Sequence, residues 1–334
     1  MHSKLSTCYA AVMMLAAWSC NAEAAGKFKT IAPPRGNNTA AQAINAAGDI
    51  AGCYYDGKNA LRSFLWIAGS GYTTFGVKGS TYFNVAGVNA DDTVAGSFSD
   101  TNGTHGFVRT SDGTFVQVDV PGDNESTDIS GINAGGAAAG IFFPVDGAAQ
   151  GFVRSADGTF VTFQGDPKAV STNAESINDK GAVAGGYADA DGAVHFYLRS
   201  PKGKFTTYDV ADSVTNGFVT GLNDQGDTIG RYIDSANVTH GFIRTTDGTV
   251  TAFDAPGAPL STYPFGINAK GYVVGSYQTS DYVVHGFLRA PNGTITSFDH
   301  PDTQDTHAAA INDKGEIVGY YEDDSGLHGF FRKK

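Results

Sequence analysis

The chain has little cysteine, a deficit of basic charge and no long apolar run, and each shortage excludes something. Of its 334 residues only Cys8, Cys20 and Cys53 are cysteines. The first two precede a cleavage signal, so no internal disulfide can hold the exported fold and a hydrophobic core must do so. Cys53 falls in a strand pattern, where a free cysteine acts as a small buried hydrophobe. Twenty-two Lys and Arg stand against 34 Asp and Glu, a formal net charge of −12. Acidity on that scale disfavours nucleic acid and anionic membrane as partners and leaves cations, cationic substrates or neutral sugars. No segment approaches the ~20 apolar residues of a transmembrane span. Also missing are a Gly-x-Ser-x-Gly elbow, a Walker-type phosphate loop, His-Glu-x-x-His and paired Cys-x-x-Cys.

Residues 1–24 read as a secretory signal peptide. Lys4 supplies the positive start, residues 10–18 the short apolar stretch, and Ala22-Glu23-Ala24 the small residues at the cleavage site. Anchoring as a lipoprotein through Cys20 is the lesser alternative, because Ala17 and Trp18 suit a lipobox poorly. The mature protein, residues 25–334, is expected to be a single domain, secreted or periplasmic, and monomeric. Its charge stays at −12, since cleavage removes one base and one acid.

What the chain does have is a repeat. An Ile, Val or Leu followed by Asn occurs at Asn45, Asn89, Asn133, Asn178, Asn223, Asn268 and Asn312, at intervals of 44 or 45 residues. One unit, 261–302, carries four strand signals with alternating apolar residues. Asn268-Ala269-Lys270-Gly271 suits a type I turn ending in positive φ, and Pro291-Asn292-Gly293 marks a second tight turn. Seven such units predict an all-β, seven-bladed β-propeller with one four-stranded blade per unit. The seventh unit stops after its third strand, while residues 27–31 match the fourth strand of other units. The N-terminal strand is therefore expected to complete the last blade and close the ring.

Two further columns repeat. A Gly follows each marker Asn by seven places, Gly140 for example, and an aromatic follows by nine. Both read as scaffold: the glycines are expected to allow close backbone approach where blades crowd the axis, the aromatics to pack between blades.

His-Gly-Phe-(Val/Ile/Leu/Phe)-Arg stands at 105–109, 240–244, 285–289 and 328–332, with variants at 150–154 and 195–199, followed in several units by Asp-Gly-Thr. This pattern, together with Ile-Asn-x-x-Gly, resembles the HAF family of bacterial extracellular repeat proteins over nearly the whole mature chain. The resemblance implies export and carries no catalytic residues to transfer. Unit one departs from it, with Arg62-Ser63-Phe64-Leu65-Trp66 in place of the signature.

A catalytic group is needed once, whereas His105, His195, His240, His285 and His328 recur around the repeat. They are read as structural hydrogen-bonding groups, and the arginines at 109, 154, 199, 244, 289 and 332 as partners of aspartates such as Asp119 or Asp254. Function is expected where units differ, on the face bearing the connections between second and third strands and between units. The connections between second and third strands are acidic. Asp100 and Asn102, and Asp189 and Asp191, place oxygen groups at alternate positions before a Gly, like the opening of a calcium loop, although plain turns explain the same residues.

Two columns vary inside the uniform frame. Five places before the marker Asn stand Asp128, Tyr263 and His307 among others, and three places before stands Glu175. Arg231 is a unique cation in the column eight places after. One connection gathers His300, Asp302, Asp305 and His307, a set able to hold a divalent metal or act in acid–base chemistry. The leading expectation is a non-enzymatic binding module for an extracellular polymer, sugar or protein. The alternative is a hydrolase or lyase acting on a polysaccharide or small ester, with His300, His307, Asp302, Glu175 and Arg231 as its first candidates.

Overall fold

Period-two alternation of apolar residues with Gly-containing turns every few residues builds strands and nothing else. The computed structural model describes residues 26–145, 147–211, 215–301, 303 and 305–333, and among these it contains 28 strands, β1 to β28 in chain order, and no helix. The segment 1–24 expected to be a signal peptide, Asp146 and Asp302 lie outside the described residues.

The strands form antiparallel four-stranded units at 37–75, 82–118, 123–163, 171–208, 215–253 and 261–298. A further sheet joins β26 (Asp305–Ile311), β27 (Ile317–Asp323) and β28 (Gly326–Lys333) to β1 (Lys27–Ile31). β1 runs antiparallel to β28 from Lys27 opposite Lys333 to Ile31 opposite Gly329. Single parallel pairs, Thr104 with Ser126 and Thr239 with Ser261, join the second unit to the third and the fifth to the sixth. The first strands of the units are β2 (Asn37–Ile44), β6 (Tyr82–Val88), β10 (Asp123–Ile132), β14 (Ser171–Ile177), β18 (Thr215–Leu222), β22 (Ser261–Ile267) and β26. Each lies against the first strand of the next unit, and β26 lies against β2.

The marker asparagines explain this arrangement. All seven are buried. The Asn178 Oδ1 accepts from Ala182 N within its own turn (2.9 Å), while its Nδ2 donates to the Asn223 carbonyl in the next unit (3.0 Å). The same donor–acceptor step runs from Asn45 to Asn89 to Asn133 to Asn178, and from Asn223 to Asn268 to Asn312. It returns from Asn312 to the Asn45 carbonyl at 3.1 Å.

In every unit the first strand carries a β-bulge three residues before the marker Asn, where Gln42, Ala86, Ser130, Glu175, Thr220, Phe265 and Ala309 lack a pairing partner. The bulge sets the Gly column. A Cβ on Gly140 would lie 1.9 Å from the Asp128 carbonyl of the adjacent strand. The close approach is thus within the unit, at the bulge, and not between blades at the axis as the sequence suggested.

The aromatics join core clusters that span successive units, as Tyr277 does with Ile243 and Phe142 with Val118. Where a histidine stands opposite they also lie against it, as Tyr187 does on His195 (4.9 Å between centroids) and Tyr277 on His285 (5.1 Å). The arginine column differs from expectation. Asp119 and Asp254 bond to His105 and His240 at 2.8 and 2.9 Å, so they are not arginine partners. The Arg109, Arg199, Arg244, Arg289 and Arg332 guanidiniums instead lie over aromatic rings of the preceding unit: Phe75, Phe163, Tyr208, Phe253 and Phe298, at 4.4–5.1 Å. A planar delocalised cation suits this buried, flat contact better than an ammonium would.

Replacing Asn178 by Ala leaves the turn N–H of Ala182 without its acceptor and takes one of two donors from the Asn223 carbonyl, which keeps Gly226 N, so it should cost roughly 1–3 kcal/mol. The urea midpoint measures this; a loss below about 0.5 kcal/mol, ordinary for a surface change, would contradict the role assigned to the amide.

Candidate functional site

The variable columns meet because of strand register. The residue five before the marker Asn pairs across the strand with the residue eight after it in all seven units: Ala40 with Cys53, Asn84 with Ser97, Asp128 with Ile141, Asn173 with Gly186, Phe218 with Arg231, Tyr263 with Ser276 and His307 with Tyr320. Cross-strand neighbours project to the same face. The bulge residue, freed from the ladder, is aimed separately. Side chains from these positions bridge successive units. Gln42 donates to Asn84 (2.8 Å), Ser97 donates to Asp128, and Thr220 donates to the Pro264 carbonyl (2.8 Å).

From the third unit to the sixth these positions hold Asp128, Glu175, Phe218, Arg231, Tyr263 and Phe265. The Arg231 guanidinium lies over the Phe218 ring at 5.2 Å and the Tyr263 ring of the next unit at 5.1 Å. Tyr263 and Phe265 stack at 6.4 Å. A cavity of about 190 Å³ opens between the fourth and fifth units, bordered by Asn173, Glu175, Tyr187, Gly186, Gly217 and Phe218. Gly186 keeps it open by lacking the side chain that its column carries elsewhere. Gly217 is required for another reason, since a Cβ there would meet the Phe196 ring at 2.3 Å.

Burial governs the charges. It pushes Glu175 up to about 7, with Asp128 adding to the effect and Asn173 and Arg231 opposing it. Asp128 is also raised by burial, against the hydrogen bond from Ser97. His307 stacks on Tyr320 at 4.6 Å, and burial lowers its pKa despite Asp305 and Glu322.

The structure does not gather the other candidates. His300 is buried against Tyr321 (3.7 Å) and Phe28 (4.9 Å). Tyr320 and Tyr321 are consecutive in β27, so the rings that hold His307 and His300 project to opposite faces of that strand. Asp305 accepts from Val284 N at 3.1 Å. Asp100 Oδ1 accepts from Asn102 N at 2.7 Å and lies 3.5 Å from His105. Asp189 Oδ1 accepts from the backbone of Asp191 (3.0 Å) and Ala193 (2.9 Å), while its Oδ2 faces His195 at 3.4 Å. Among the described residues no three His, Cys, Asp or Glu side chains come together where a metal ion would be held. Cys53 is buried beside Ser63 and the Phe83 carbonyl, with its thiol pushed up to about 11, far from thiolate chemistry.

Sequence reasoning passed over two residues. Phe218 and Gly186 stood in the right columns, but their pairing with Arg231 and Asn173 needed the strand register. It also looked only to the face with the long connections. A second cavity, about 280 Å³, lies at the opposite end among the marker turns, lined by Asn178, Asp179, Asn223, Asp224, Asn312 and Asp313 above an apolar floor that includes Ile177 and Leu222.

This geometry defines a propeller-type all-β protein with a polar and aromatic site across the junctions of successive units. Among solved structures, the chain is similar to a catalytically inactive variant of virginiamycin B lyase from Staphylococcus aureus with quinupristin: TM-score 0.61 and 13% identity over 92% of this chain and 99% of that one. It is also similar to streptogramin B lyase, with TM-score 0.60 and 12% identity over 92% and 98% of the two chains. The BP39L lectin from Burkholderia pseudomallei gives TM-score 0.54 and 9% identity over 90% and 98%. At these identities the likeness is one of fold. No protein-family model and no curated protein matches the chain.

Between the ordinary carboxylate range and about pH 7, folded Glu175 keeps a proton that the unfolded chain has lost, so stability falls as pH rises through that window. Glu175→Gln removes the titration. Its melting temperature relative to the parent should be higher at about pH 8 than at about pH 5; equal differences at both would refute the shifted acid.

Proposed function

We propose that the chain is an exported, closed seven-bladed β-propeller that acts as a non-catalytic binding module for an extracellular polymer, sugar or protein. One observation carries this reading. A frame of repeated hydrogen bonds holds the units alike, while the paired and bulged positions of the first two strands change from unit to unit. A single ligand bound off the axis requires that asymmetry, and scaffold does not. Closure is supported by the pairing of β1 with β28 and by the Asn312 to Asn45 bond, which repeats between the seventh and first units the bond made at every other junction. A binding role is preferred to a hydrolase or lyase because His300 and His307 stand on opposite faces of β27.

Two measurements test the reading. Deleting residues 27–34 strips the outer strand from the last sheet and should lower the melting temperature sharply; an unchanged melt rejects the closure. A carbohydrate and extracellular-polymer array probed with residues 25–334 should show a ligand whose capture is lost in Phe218→Ala. Capture that survives both Phe218→Ala and Tyr263→Ala places binding elsewhere.

A further inference from the structure

Arg231 is the only charged residue of its column. Aromatic rings meet a guanidinium through its flat faces, where the positive charge faces the π cloud. At Arg231 the guanidinium carbon lies 5.2 and 5.1 Å from two ring centroids, and none of its five N–H donors bonds to a described residue. In the column that ends the third strand Arg109, Arg154, Arg244 and Arg289 each donate to the carbonyl of the following residue, and only the buried Arg199, over Phe163 and Phe205, shares with Arg231 the lack of a hydrogen bond to a described residue. Contact with the Phe218 and Tyr263 rings restricts the side chain, so little rotamer entropy is left to lose on binding. A planar fork with unspent in-plane donors matches the two oxygens of a carboxylate.

The surroundings narrow the ligand further. Phe218 is 39% and Phe265 38% exposed, a high value for rings on inner strands. Phe218 meets the guanidinium directly and Phe265 lies one ring further on, stacked on Tyr263, while the cavity of about 190 Å³ that Phe218 borders has room for a small ring rather than a long chain. A ligand that carries its carboxylate on a ring of similar width would use the fork, the aromatic faces and the cavity together.

We propose that, against the net charge of −12 that favours cationic or neutral ligands elsewhere on the surface, Arg231 is a local receptor for the carboxylate of an acidic saccharide of the uronate type, whose sugar ring lies against Phe218 and Phe265. The inference rests on the binding role proposed above and adds the charge and class of the ligand. Glu175 tunes it. Asp128, Arg231 and Tyr197 are the titratable or charged groups that act on Glu175, with the Asn173 amide beside it. While Glu175 holds its proton it does not compete for Arg231 and does not repel a bound carboxylate. Once ionised it does both, so uronate affinity should fall as pH rises through about 7.

The test is calorimetric titration of residues 25–334 with an oligogalacturonate and with its methyl ester, which keeps the rings and removes the charge. The acid should bind and the ester should bind roughly tenfold or more weakly. Arg231→Gln should cost roughly tenfold to a hundredfold for the acid, and Arg231→Lys should fall between, because it keeps the charge and loses the fork. Affinity for the acid should be lower at about pH 8 than at about pH 6, and Glu175→Gln should abolish that dependence. Circular dichroism and the melt of each variant establish that it is folded. Equal binding of acid and ester, lost in Phe218→Ala, overturns the anion inference while the binding module stands. Unchanged affinity in folded Arg231→Gln overturns it as well. If neither probe binds, the inference fails, and the polymer array alone then decides the broader reading.

Discussion

The structure depends on a buried side-chain amide that does two jobs at once. Each marker Asn uses its oxygen to close its own turn and its nitrogen to reach the carbonyl of the next marker Asn. The carbonyl also accepts from its own turn, so the group at stake is the buried amide nitrogen: left without an acceptor it costs ~1–3 kcal/mol, which gives each junction a preference for one spacing and one tilt. Since the acceptor is the backbone of the residue that makes the next bond, an error at one junction propagates to its neighbour. Ser or Thr would lack the reach and the second function, and Asp would lack the donor.

The same frame makes room for variation. The bulge in each first strand removes one residue from the ladder, and the Gly opposite it is forced by a carbonyl that would collide with any Cβ. Once backbone geometry is secured by Asn, Gly and bulge, the bulge side chain and the cross-strand pair beside it are not needed for the ladder: some bridge units, as Gln42 and Thr220 do, and others vary without such a bond. Glu175, Phe265, Phe218 and Arg231 occupy such positions. The site is therefore a by-product of how the scaffold is held, repeated in geometry and different in chemistry at each unit.

Charge is distributed on the same principle. The repeated aspartates are neutralised locally, by histidines and by turn N–H groups, and the repeated arginines by aromatic faces and carbonyls. Little of this leaves a group available to a ligand. Arg231 lies near two aromatic rings of neighbouring units and donates to no described residue. Glu175 beside it is held near neutrality by burial, which lets a carboxyl and a guanidinium share a small space without an obligatory ion pair.

Much of the architecture was legible in the chain. Marker spacing, turn residues and alternation determine strands, turns and a repeat of four-stranded units, because these follow from local steric and hydrogen-bonding preferences. The histidines could be recognised as structural from their recurrence alone. The partners could not. That Asn178 reaches Asn223, that Arg199 lies on Phe163, and that Gly140 answers a bulge are relations between strands or between units, which sequence spacing does not encode. His300, Asp302, Asp305 and His307 looked like one constellation because they are close in the chain, yet the rings that hold His300 and His307 project to opposite faces of a strand. Phe218 and Arg231, thirteen positions apart, are direct neighbours through antiparallel register. The sequence by itself determined which positions repeat and which vary. Only the tertiary structure decided which varying positions meet, because register and packing, unlike turn chemistry, are set by the contacts of the whole chain.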